Sequence, residues 1–379
     1  MIRIALLAAL LWLTTGCTTV QFLSQAAAGQ WRLSTSGVPI DEAAKDSALP
    51  QQTRGYLREI PKVRSYASDQ GLLVGDNYQD FLQLDEDFVV WFVNASAPLA
   101  FVPKVFEFPI VGSFPGLSWF HQADAEAFAQ SLREEGWDVG VRGVRAFSTG
   151  GFFTDPLLSS MLPSDPVAIA FLVNVLLHES VHATVLVPDQ QFFNESLASF
   201  VADRMTPEYL DARYGPGSHQ LQVYRQRKLY GVWYTSWLVS AYKSLDKLYR
   251  SSVPIESKLR RKKHFMQAIQ KWLNMKEEPN NASLIGAQLY HVGTDSFKAL
   301  LDACGGQWPK FLAAAGSLRT DHFQAEQTPV IDPALYALAK RGCVPYSTLN
   351  KRSYASRAYR AYSRKRTGPH RLTLRNKSP

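Results

Sequence analysis

Cysteine is scarce in this 379-residue chain, with three in all, so a disulfide framework is excluded as the source of its stability. Long apolar runs are missing as well. Residues 4–13 are uniformly apolar, but ten residues are about half of what a transmembrane helix needs. Acidic residues are absent from 351–379, where ten Lys/Arg stand unopposed, while the remaining 350 residues carry 31 basic and 33 acidic side chains. The formal charge of +8 therefore belongs to a tail and is no nucleic-acid signature of the body. What the chain has in quantity is apolar (46%) and aromatic (12%) material, which excludes disorder and suffices to bury a large core.

The N-terminus reads as an address. Arg3, the apolar run and then Thr14-Thr15-Gly16-Cys17 have the layout of a secretory signal covering residues 1–16. Cys17, directly after a small residue, resembles the bacterial lipoprotein box, in which the cysteine is lipidated and becomes the mature N-terminus; Thr14 stands where Leu is commoner. Thr18 in place of Asp implies sorting to the outer membrane, with the protein anchored by lipid and facing the periplasm. In that oxidising compartment Cys304 and Cys343 are the two remaining thiols, and one bridge between them is possible.

Along the body, residues 20–70 read as helical, with breaks at Pro50 and Pro61. Residues 88–93 and 102–111 are rich in β-branched and aromatic side chains and read as strands. A helix is expected over 122–135, with Ala125, Phe128, Ala129 and Leu132 on one face, and a strand from Asp138 to Phe147, where Val139, Val141 and Val144 alternate. From Pro166 to about residue 340 nearly everything is helical. Strands and mixed elements first, helices afterwards, argue for an α+β layout and against alternating βαβ units. The expected organisation is one domain over 17–345, with a β-containing part at about 20–160 and a helical part at about 161–345, followed by a basic, disordered tail over 346–379.

The chemistry concentrates in one stretch. Residues 176–182 read Leu-Leu-His-Glu-Ser-Val-His. His178 and His182 are four apart, so on a helix both imidazoles leave one face and can hold one Zn²⁺. Glu179 stands beside the first ligand, where its carboxylate can act as general base toward water. Ser164-Asp165-Pro166 offers a helix start, Pro188 a stop, and the flanks are uncharged, as a buried active-site helix requires. Phe193-Asn194-Glu195-Ser196 then opens a second helical stretch ending near Pro207. An Asn-Glu step in that place is similar to the one with which gluzincin metallopeptidases supply a third ligand, here Glu195. Two His and one Glu leave a position open, which is the catalytic arrangement. A first-turn carboxylate that merely complements the helix dipole is the plainer alternative. Twelve residues separate His182 from Glu195, fewer than in the best-known gluzincins, so a turn at Val187-Pro188-Asp189 has to bring the carboxylate back.

On these residues and on a series of motifs around them, the chain resembles the bacterial putative aminopeptidase family, zinc-dependent and gluzincin-like HExxH lipoproteins. The series includes Val89-Val90-Trp91, Phe108-Pro109, Ser148-Thr149-Gly150-Gly151-Phe152-Phe153, Asn280-Asn281-Ala282, Tyr290-His291 and Gly305-Gly306-Gln307-Trp308-Pro309, and the likeness covers roughly residues 17–315. Pro115-Gly116-Leu117-Ser118-Trp119 departs from the Tyr-basic-Gly step that family members tend to show. The resemblance implies a zinc metallopeptidase of the aminopeptidase kind, with a thermolysin-like zincin core, His178, His182 and Glu195 as metal ligands and Glu179 as catalyst.

A hydrolytic site also needs a donor for the oxyanion, and Tyr290 and His291 are the candidates, Tyr290 the favoured one, with packing and helix capping as their plainer roles. Asp155 and Asp203 are the alternatives for a carboxylate that orients a metal-bound imidazole. No motif for anchoring a substrate amine is evident, so exopeptidase and endopeptidase are not separated. The expected partners are a peptide substrate, a membrane reached through the lipid anchor, and anionic lipid or envelope polymer at the basic tail; no nucleic acid is expected. The rival readings are a non-catalytic envelope lipoprotein binding an anionic polymer, and an amidase or endopeptidase acting on cell-wall peptides.

Overall fold

The computed structural model describes residues 20–108, 112–147, 154–162, 165, 169–288 and 292–343. The signal segment with Cys17, the Ser148–Phe153 motif, Ser164 and Pro166, Tyr290 with His291, and the basic tail lie outside them. Helix α1 (residues 20–35) leads into β1 (Val38–Pro39), α2 (Ile40–Ala43) and α3 (Gln51–Asp69). Pro50 caps α3, as a break there predicts, but Pro61 interrupts nothing and sits inside the helix. A proline costs a helix interior ~3 kcal/mol, because its ring opposes the preceding turn and an N–H is lost. Pro61 is on the solvent face, where water can take the freed carbonyl, while Leu57, Ile60 and Val63 are wholly buried and hold the helix down.

The chain is a mixed α+β protein, about 60% helical, with small sheets. β2 (Asp80–Leu82) pairs antiparallel with β1 and parallel with β8 (Leu157–Leu158). The second sheet has β3 (Val90–Ser96) at its centre, flanked antiparallel by β6 (Gly116–Trp119) and β7 (Asp138–Val144). β4 (Phe106–Phe108) and β5 (Gly112–Phe114) pair antiparallel with each other, and within the described residues of the run 102–111 the strand is confined to Phe106–Phe108. Alternation decides the faces of the central sheet. Val93, Ala95, Leu117 and Val139 face α4 (Gln122–Glu134), whose Ala125, Ala129 and Leu132 complete a buried cluster. Phe92 and Asn94 point to the other side, in register with Arg142 and Gly140. A side chain at position 140 would collide with the Asn94 carboxamide at 2.7 Å, and Asn94 is needed there because its Nδ2 donates to Ala282 O at 3.0 Å.

The helical part comprises α5 (Ile169–Thr184), α6 (Gln191–Tyr214), α7 (His219–Arg250), α8 (Ile255–Trp272), α9 (Asn281–Gln288), α10 (Thr294–Ala303), α11 (Trp308–Ala315) and α12 (Asp332–Arg341). α6 does not end near Pro207 as expected: the proline sits inside it, and buried Tyr209 and Leu210 carry the helix a further two turns. α3 is tied to α6 through Glu59, which accepts from Tyr209 Oη at 2.9 Å, Arg213 Nε at 2.7 Å and Lys62 Nζ at 2.8 Å. Asn280 and Asn281 stitch α9 to the sheet: Asn280 Nδ2 donates to Val139 O (2.8 Å) and Asn281 Nδ2 to Ala97 O (2.8 Å), with Tyr249 Oη donating to Asn281 Oδ1 (2.8 Å). Cys304, at the end of α10, is disulfide-bonded to Cys343 beyond α12, with Cα atoms 5.2 Å apart.

Candidate metal centre

α5 is a nearly all-round apolar helix. Ile169, Ala170, Leu172, Val173, Leu176, Leu177, Val181 and Ala183 are buried on several sides of it. Polar groups on such a helix lose water, so each needs a partner or a function. Ser180 and Thr184 solve this locally, donating to Leu176 O and Ser180 O at 2.6 Å each. Asn174 Nδ2 donates to Asp203 Oδ1, Thr206 Oγ1 and Tyr224 Oη. His178 and His182 instead turn toward each other, with their Nε2 atoms 3.2 Å apart.

Glu195, in the second turn of α6, completes the group. Its Oε2 lies 3.4 Å from His178 Nε2 and its Oε1 3.8 Å from His182 Nε2, and the side chains of His178, His182 and Glu195 are 17%, 12% and 17% exposed. One ligand atom from each of the three residues falls within 4.8 Å of the others, and among the described residues this is the one such cluster of His, Cys, Asp and Glu. The short spacing is met by a loop that is held at both ends. Asn194 accepts from Val187 N–H (2.9 Å) and donates to Val187 O (2.8 Å), closing the turn on the residue just before Glu195. Asp189 takes a left-handed φ of 58°. Its Oδ1 accepts from Ser113 N–H at 3.0 Å and Ser113 Oγ at 2.7 Å, while its carbonyl accepts from Gln327 N–H at 2.7 Å.

The electrostatics suit a cation. Burial opposes charge on Glu195, but His182, His178 and Arg142 overcome it and hold the carboxyl down at about 2. Burial, helped by the neighbouring His178, brings His182 down to about 4. Both groups are thus unprotonated at neutral pH, as ligands must be. Burial also works against a charged His178, yet Glu195, Glu179 and Asp203 together raise its pKa, so the carboxylates favour positive charge at that imidazole. Two imidazole nitrogens and a carboxylate are the donor set of a catalytic zinc site, and the residues fit the ion.

Glu179 is beside this group, and its charge is felt by Tyr78, a wholly buried phenol at φ 58° that burial, Glu179 and Asp155 all push upward. Of the two carboxylates considered as orienters, Asp203 contributes to the raised pKa of His178; it also accepts from Lys228 Nζ at 2.6 Å. Asp155 is buried just before β8, where its backbone N–H donates to Asn77 Oδ1 at 2.9 Å. Tyr290 lies outside the described residues. Sequence reasoning missed Tyr78, Arg142 and the Asn194 clamp. Arg142 is on the β7 face that looks away from α4, with its guanidinium 5.1 Å from the Phe92 ring, and lines a cavity of about 380 Å³ with Tyr234, Leu238 and Ala282. Its alternation with Val141 in a strand was the available signal; Tyr78 offers none, because its approach to Glu179 is long-range.

The family model described as "Putative aminopeptidase" matches residues 21–329 of the chain. No curated protein and no solved structure matches it.

Proposed function

The chain belongs to the putative aminopeptidase family, and on that premise we propose that it is a lipid-anchored zinc metallopeptidase, an aminopeptidase facing the periplasm from the outer membrane. The single observation that carries the reading is the convergence of His178, His182 and Glu195 within 4.8 Å on two buried helices. The α5–α6 pair and the sheet beside it then serve as a thermolysin-like zincin core. When bound, zinc supplies a Lewis acid for the scissile carbonyl and acidifies nearby solvent. Glu179 takes the proton of the attacking water and returns it to the leaving amine. Tyr78 stays protonated, because burial and the charges of Glu179 and Asp155 all oppose its ionisation. His182 and His178, with a smaller contribution from Arg142, keep Glu195 ionised, and the charge of Asp203 favours the protonated form of His178. Tyr290 is proposed as the oxyanion donor. Cys17 as the lipidated residue and the Cys304–Cys343 bond both belong to an exported chain.

Two experiments test this reading together. The purified, zinc-loaded protein is incubated with free-amine and N-blocked peptide libraries, and Glu179→Gln is compared with wild type. Hydrolysis confined to free-amine peptides, and a loss of about a thousandfold in the variant with zinc content unchanged, is expected. Equal rates in the two proteins would remove Glu179 from the chemistry, and cleavage of blocked peptides would remove the aminopeptidase assignment.

A further inference from the structure

The α7–α8 hairpin is unlike the rest of the body. Residues 219–272 hold twelve Lys/Arg and two Asp/Glu, whereas the other residues up to 350 hold nineteen Lys/Arg and thirty-one Asp/Glu. The near-neutral body is therefore a basic hairpin on an acidic remainder. Some of this charge is used internally: Lys262 reaches Asp138 at 2.5 Å, and Lys228 reaches Asp203. Lys243, Lys247, Arg261 and Lys271 are exposed.

The same hairpin exposes apolar side chains that its own packing does not call for. Its inner face is already complete, with Leu238, Ala241, Leu245, Tyr249, Met266 and Leu273 buried in one cluster. Outside, Leu229 is 72% exposed, Val232 60%, Trp233 42%, Trp237 44% and Trp272 64%. Trp237 and Trp272 bring the two helices together on this face, with ring centroids 5.7 Å apart. At 3.6 residues per turn, Leu229, Trp233 and Lys247 share one stripe of α7, and Arg261 and Trp272 share one stripe of α8. Lys247 thus points the same way as Leu229 and Trp233, and Arg261 the same way as Trp272.

We propose that this outer face docks on an anionic lipid bilayer, with Trp233, Trp237 and Trp272 at the headgroup boundary and Lys243, Lys247, Arg261 and Lys271 against lipid phosphates. Tryptophan prefers that boundary because one edge of its ring is polar and the rest apolar, and clustered cations are drawn to anionic leaflets. Exposed Leu229 and Val232 favour lipid over nucleic acid, since aliphatic side chains gain from acyl chains and cannot stack on bases. The surface is independent of the metal reading, since none of its residues is a ligand or the proposed base.

The test uses the full chain with Cys17→Ser, which removes the acyl anchor and leaves the basic tail in place throughout. Binding is measured to vesicles of phosphatidylcholine alone and with 30% phosphatidylglycerol, the latter also carrying brominated acyl chains. Wild-type tryptophan emission is expected to be quenched in the anionic vesicles only. Neutralising Lys243, Lys247, Arg261 and Lys271 to Gln is expected to weaken partitioning about fivefold per charge removed. A Trp233→Ser/Trp237→Ser/Trp272→Ser variant is expected to lose the quenching while keeping wild-type circular dichroism and metal content. Equal partitioning of wild type and both variants, unquenched emission, or binding to single-stranded nucleic acid in preference to vesicles would overturn the proposal.

Discussion

α5 and α7 break the same rule in opposite directions. α5 is a buried helix that retains His178, Glu179 and His182 among apolar neighbours, and α7 is a surface helix that retains Leu229, Trp233 and Trp237 among polar ones. Both departures cost free energy, the first by stripping water from ionisable groups and the second by leaving apolar area wet. On α5 the cost is partly recovered within the fold, because Glu195, Glu179 and Asp203 favour positive charge on His178, while His182, His178 and Arg142 hold Glu195 ionised. On α7 nothing in the described fold recovers it. The difference teaches where to look for each kind of partner: an ion for the inward exception, a surface for the outward one.

The contrast is sharpest if polar changes around α5 are costly and apolar changes on α7 are free. Asn194→Ala should show the largest stability loss. It strands the N–H and C=O of Val187 in a buried turn, and about 3 kcal/mol by urea unfolding is expected, together with weaker metal binding although no ligand is touched. A loss under about 1 kcal/mol would mean that the contacts of Ser113, Gln327 and Thr320 suffice to hold the loop. Glu59→Gln comes next. Its carboxyl is held at about 2 by Arg213, Lys62 and Tyr209 against the opposing effect of burial, so its contribution is fully present above the ordinary carboxylate range near 4.5. That contribution is lost as pH falls through about 2. The variant should be about 1–2 kcal/mol less stable than wild type at pH 7, with solvent screening of Lys62 discounted, and the gap should close toward pH 2 in acid titrations followed by circular dichroism. Trp237→Ser should do least, shifting stability by less than about 0.5 kcal/mol. A loss of several kcal/mol would show that Trp237 is a packing residue and would erase the comparison.

Much of the site is local and is legible for that reason. Two histidines four apart, a carboxylate after the first and an Asn-Glu step are sequence patterns, and a helix turns them into a shared face without further help. The alternation at 138–144 similarly marks β7 and the faces it turns to either side of the sheet. What escapes reading is set by distant contacts. Tyr78 meets the charge of Glu179 a hundred residues away, and the turn before Glu195 is held by Ser113 from one side and Gln327 from the other. Pro61 and Pro207 mislead because a proline's local penalty says nothing of the buried neighbours that outweigh it. The outward tryptophans escape for a related reason, since only burial reveals that the inner face of the hairpin is already full.

Zinc stoichiometry tests the central claim most directly. The full chain, purified and equilibrated with zinc, is gel-filtered and assayed by elemental analysis beside Glu195→Ala and His182→Ala. The account predicts one zinc per wild-type chain and roughly a hundredfold weaker retention, or worse, in each variant. Wild-type protein that holds no more zinc than the two variants would contradict it.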